Sequence, residues 1–163
     1  MTNMTQHRPR HVLLTGRNQE PLPENRIKSA SATFLGLDNQ VNTRYDADSP
    51  TVFQVVEGDG EPYGEVRFGP DIFPGPNVAD PNAALGLSGA CAHELSHYHR
   101  WHDMIAIDEP ELEHIDEALT SLQAAMRYEK ILTPHDIHQL IDDAMRRLQL
   151  YVQQFRRQRG GTD

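Results

Sequence analysis

Two histidines four residues apart, His93 and His97, with Glu94 directly after the first, constrain this chain more than any other feature it carries. On an α-helix, positions i and i+4 lie on one face about one turn apart, so the two imidazoles can share one metal ion when the segment is helical. Glu94 is rotated by about 100° from His93, which sets its carboxylate beside such an ion rather than on it, where a general base for activated water belongs. The flanking residues Leu85, Leu87, Ala90, Ala92, Leu95, Tyr98 and Trp101 predict that much of this helix is buried. Buried histidines need partners, and a metal ion satisfies both. A surface helix with scattered histidines is the plainer alternative, and these apolar flanks argue against it.

Residues 88–126, SGACAHELSHYHRWHD followed by MIAIDEPELEHIDEALTSLQAAM, resemble the HExxH zinc metallopeptidases and, among them, the gluzincin type. The resemblance implies a zinc ion held by His93 and His97, with a glutamate of the next helix as third ligand. Glu117, in the context DEALTS, is similar to the glutamate of thermolysin-like and minigluzincin peptidases. The stretch AHELSHY also looks like that of ImmA/IrrE-type cytoplasmic peptidases, whose active helix is followed by an acidic helix and a short helical tail. The resemblance covers about a quarter of the chain and is strong only at the five motif residues. One departure stands out: gluzincins carry an acidic residue four places after the glutamate to orient the first histidine, and here that position is Ser121.

Helix geometry agrees with Glu117. Pro110 suits a first helical turn, which puts Glu117 about 10 Å along the second helix, while His97 lies about 9 Å before an end of the first helix near Asp103. An antiparallel pair joined by a short turn brings the two to one level. Leu112, Ile115, Leu119, Leu122 and Met126 form an apolar stripe on the side away from Glu117, where Ser121, Ala124 and Tyr128 lie. The helix is therefore expected to be sandwiched between the metal helix and a C-terminal helix. Rival third ligands are Glu113 and His114, one register away, and Asp103. Asp103 fits the metzincin-like spacing, but Arg100 replaces the glycine that lets that chain turn. Cys91, two residues before His93, points about 200° away and reads as a small buried hydrophobe. His99 and His102 read as exposed or supporting groups.

The chain has 163 residues and a net charge of −9, which fits one domain, residues 1–163, with a flexible arm at 1–10 and a flexible tail at 158–163. That charge argues against general nucleic-acid binding, although FRRQRGGTD is locally basic. No stretch of signal-peptide or membrane-spanning character is apparent, so the expectation is a cytoplasmic protein that does not enter a membrane.

A coarse pass predicts an α+β fold, a small N-terminal sheet followed by the HExxH helix, the glutamate helix and a C-terminal helix, in zincin-like order. A short strand is expected over residues 11–15 and a helix over 25–37. Strands over 51–57 and 63–68 flank the turn Gly58-Asp59-Gly60-Glu61-Pro62. The proline- and glycine-rich run 69–81 reads as a loop leading into a metal helix that starts near Pro81 or Asn82. Helices are expected near 110–131 and 134–157, the latter with Thr133 as cap and Pro134 at its first position.

The resemblance implies peptide-bond hydrolysis in a protein or peptide substrate. Glu94 would be the catalytic base and His93, His97 and Glu117 the ligands of Zn2+, with a substrate strand laid along the edge of the sheet at residues 63–68. Tyr128, His135 and Tyr98 are candidates for stabilising the oxyanion. Two other classes compete. Glu94-x-x-His97 and Glu111-x-x-His114 could belong to a helical di-iron protein, for which the β-rich first half leaves too few helices. A non-catalytic, metal-stabilised interaction module is the other.

Overall fold

The computed structural model describes residues 16–76 and 84–160. The expected strand over residues 11–15 and the N-terminal arm lie outside the described residues, as does the end of the C-terminal tail. The fold is α+β. Helix α1 (Glu24–Leu37) is followed by strands β1 (Asn42–Tyr45), β2 (Val52–Val56) and β3 (Tyr63–Phe68), then by helices α2 (Leu87–His102), α3 (Glu113–Arg127) and α4 (Pro134–Gly160). Short 3-10 turns at Pro70–Ile72 and Pro110–Leu112 lead towards α2 and α3.

The two β-rich runs pair antiparallel as expected, with Val52 opposite Arg67 and Val56 opposite Tyr63. A third strand, β1, pairs parallel to the other side of β3, from Asn42 opposite Glu65 to Tyr45 opposite Phe68. The order is therefore β1-β3-β2, and the strand over 63–68 is central. This corrects the expectation that it offers an edge to a substrate: its backbone groups are engaged on both sides by ladders. The sequence hid β1 because Asn42-Thr43-Arg44-Tyr45 is four residues long and mostly polar, and it is held by tertiary pairing rather than by an apolar pattern.

The core lies between the sheet and the helices. Phe34 of α1, Val66 and Phe68 of β3, Ile72, and Ala90, Cys91, Ala92 and Leu95 of α2 are fully buried. α2 crosses the sheet closely: a Cβ on Gly64 would stand 2.6 Å from the Tyr98 ring and 2.8 Å from the Phe53 ring. The absence of a side chain at Gly64 lets the metal helix lie there, and Phe53, Tyr98 and Trp101 pack edge-on and tilted around it.

α2 starts at Leu87, later than the expected start near Pro81 or Asn82. Residues 84–86 are non-helical and Gly86 is extended (φ −67°, ψ 177°). This entry is pinned from outside. The Arg17 guanidinium donates to the carbonyl oxygens of Asp71, Ile72 and Leu85, and the Gln139 side chain accepts from the Gly86 amide and donates to the Ala84 carbonyl. At the other end of the helical region, Thr133 and Asp136 exchange side-chain-to-backbone hydrogen bonds of 3.0 and 3.2 Å, a capping box that starts α4 at Pro134.

α3 is sandwiched between α2 and α4, but not by the face its composition suggests. Asp116, Glu117, Ala118, Thr120, Ser121, Ala124 and Ala125 are buried, whereas Leu119 and Met126 of the apolar stripe are exposed. Small residues let the three helices approach, and the buried polar groups find partners in one another.

Candidate metal centre

The α2 backbone carries His93 and His97 one turn apart, with their rings 4.8 Å apart and nearly perpendicular. α3 brings Glu117 across to them. Its Oε2 lies 3.0 Å from His93 Nε2 and its Oε1 3.3 Å from His97 Nε2. All three residues are buried, and one ligand atom from each lies within 4.8 Å of the others. This is the only such group of histidine, cysteine or carboxylate side chains among the described residues.

The residues fit a metal ion. His97 Nε2 and Glu117 Oε1 face each other at 3.3 Å, and both are buried without a hydrogen-bond partner. Orphaned polar atoms in an interior are costly, and a cation between two imidazole nitrogens and a carboxylate satisfies all of them. Two neutral nitrogens and one carboxylate also form a donor set suited to a borderline-soft divalent ion.

Glu94 lies at the same level of α2, fully buried, with both carboxylate oxygens unpaired. Burial pushes its pKa up to about 8, and the Glu117 charge adds to the effect, although His97 opposes it. Burial also disfavours a charged His93, whose pKa is lowered. For His97 burial acts in the same direction, but the adjacent Glu117 carboxylate prevails and the pKa lies above the ordinary value. Glu117 shows the counterpart: burial works against its charge, yet the two histidines hold its carboxyl well below the usual range.

Support for His93 takes an unexpected route. Its Nδ1 lies 2.7 Å from Ser121 Oγ, and the Ser121 hydroxyl donates to Asp143 Oδ2 of α4 over 2.5 Å. Ser121 thus links His93 to an aspartate of another helix. Arg147, one turn after Asp143, donates to its Oδ2 at 2.7 Å and lies 3.2 Å from Glu117 Oε2. A buried cation therefore braces both the candidate ligand and the orienting acid. Sequence reasoning missed Asp143 and Arg147. The available signal was their i,i+4 spacing on the α4 face that also carries Leu140 and Ala144.

The rival ligands stand elsewhere. Asp103 caps α2, is half exposed and faces Arg127 at 3.8 Å. Glu113 is exposed, and His114 borders a groove with Leu150 and Arg157 of α4. Arg100 is buried, with its guanidinium 2.7 Å from Asp116 Oδ1, so this position locks α2 to α3 where a glycine would release the chain. Cys91 is a free, buried thiol. Of the three oxyanion candidates, Tyr128 turns its hydroxyl to Asp38, Tyr98 packs against Phe53 and His102, and His135 is exposed in the first turn of α4. No helix among the described residues is long and apolar enough to cross a membrane. Comparison with family models, curated proteins and solved structures found no match to this chain.

Proposed function

We propose that this protein is a cytoplasmic zinc-dependent endopeptidase that cleaves a peptide bond in a specific protein partner. The observation that carries the reading is Glu94: a carboxylate buried with both oxygens unpaired, one residue from a group of three metal-ligating side chains. A structural site requires no such group, whereas hydrolysis requires a proton acceptor there. His93, His97 and Glu117 would hold the zinc ion, which would supply Lewis acidity towards water. Glu94 accepts the proton released during attack on the peptide carbonyl and returns it to the leaving amine. Ser121 and Asp143 hold the His93 ring in the tautomer that presents Nε2, the two histidines favour the ionised Glu117, and Arg147 braces its carboxylate at 3.2 Å.

With β3 central, the proposed substrate edge moves to β2, the outer strand whose Phe53 packs on Tyr98 and Trp101 of α2. An extended segment added there by backbone hydrogen bonds would run beside the metal helix. Glu94→Gln retains the ligands and removes the proton acceptor, so it should capture a partner from a cell extract that wild type then cuts. Identical fragment patterns from wild type and Glu94→Gln on every captured partner would end the peptidase reading.

One observation favours a second reading. His93 and Glu94 are 0% exposed and His97 only 6%, which suits a metal-stabilised interaction module. Zinc retained by wild type and Glu94→Gln alike, a shared binding partner and no cleavage by either would establish that alternative.

A further inference from the structure

Helix α4 runs for 27 residues, and one face packs into the molecule through Gln139, Leu140, Asp143, Ala144 and Arg147. Another face is apolar and open. Ile141, Met145, Leu148, Val152 and Phe155 are 40, 55, 40, 44 and 45% exposed. Their spacing is four, three, four, three, the repeat of a coiled-coil seam sustained across two heptads. A helix that needed to satisfy only its own core would not maintain a second apolar stripe at that period, because each such side chain left in water forgoes its burial energy.

Charge on the same helix is divided along its length. The first half, 134–147, carries Asp136, Asp142 and Arg146, and the second half carries Arg156, Arg157 and Arg159 and no acidic residue, while Asp143 and Arg147 are engaged internally. We propose that α4 is a self-association surface on which a second copy of this chain packs antiparallel. In that register Met145 meets Phe155 of the second copy, and Leu148 meets its Val152. The stem of Arg159, whose guanidinium lies over the Phe155 ring of its own chain at 5.0 Å, covers Ile141. Asp142 flanks this seam opposite Arg156 of the second copy, and the symmetry makes the pair twice. A parallel arrangement would gather the arginines of both C-terminal halves at one end, which like-charge repulsion disfavours. The charge pattern therefore selects a second copy in the antiparallel direction: the half that holds Asp136 and Asp142 in one copy meets the wholly basic half of the other.

The test is sedimentation of the full chain over a range of concentrations. A concentration-dependent dimer is expected, weakened by salt at the Asp142–Arg156 pairs. Leu148→Glu should raise the dissociation constant by about a hundredfold or more, the scale of placing a charge in an apolar seam. Because any substitution can disturb folding, Leu148→Glu is compared with wild type at a dilution where both are monomeric, where equal melting temperatures are expected. A lower one would mean that another part of the same chain covers this face, and would overturn the proposal. Asp142→Arg should weaken the dimer and the added change Arg156→Asp should restore it. Orientation is read with a short thiol cross-linker: Gln149→Cys should link two copies, whereas Arg159→Cys, about 27 Å from its counterpart in the antiparallel register, should not. A monomer at all concentrations, a dimer indifferent to Leu148→Glu, or links from Arg159→Cys alone would each refute it.

Discussion

Ser121 ties the candidate centre to the C-terminal helix: its oxygen lies 2.7 Å from His93 Nδ1, and its hydroxyl donates to Asp143 on α4. The prediction at this scale is that Ser121→Ala and Asp143→Asn each weaken metal binding by about 10–100-fold, the usual consequence of removing an orienting partner, while the fold is retained. Competition titration with a chromophoric chelator measures this, and unchanged affinity in both variants would disprove the relay. His93, Glu94, His97 and Glu117 were legible from spacing and from resemblance, because helical periodicity dictates which side chains share a face. Asp143 and Arg147 were not, because their role depends on how α4 crosses α3, and crossing geometry is set by small side chains such as Ala124 and Ala144 that leave little pattern.

Elements were legible where local chemistry defines them and illegible where distant contacts do. The hairpin turn, the metal helix and the Thr133–Pro134 helix start follow from local residues. β1 and the late start of α2 follow from pairing with β3 and from the reach of Arg17 and Gln139. Beyond the candidate metal centre, α2 and α3 are joined by a buried ion pair, Arg100 with Asp116, whose Oδ1 also accepts from the Ile107 amide at 2.9 Å. Asp116→Ala leaves a buried guanidinium without its counter-charge, and the expected loss is about 3–5 kcal/mol. Chemical denaturation measures it; a loss within the range of ordinary surface substitutions would show that the pair does not hold the two helices in register.

For the molecule as a whole, the candidate metal centre is a cluster of titratable groups inside the fold, and its pH response follows. Glu94 has a folded-state pKa of about 8 against an ordinary 4.5, so without metal the folded protein binds a proton that the unfolded chain has released. That contribution is complete below the unfolded value and is lost as pH rises through the folded one. Chelator-treated wild type should therefore lose stability relative to Glu94→Gln as pH increases between about 4.5 and 8. Parallel stability profiles for the two proteins would contradict it. Whether His93, His97 and Glu117 hold one metal ion between α2 and α3 is decided by elemental analysis of the chain purified without chelator. The prediction is one zinc per chain in wild type and in Glu94→Gln, and little or none in His93→Ala, His97→Ala or Glu117→Ala. Wild type without metal, or full zinc in any of those three variants, would contradict it.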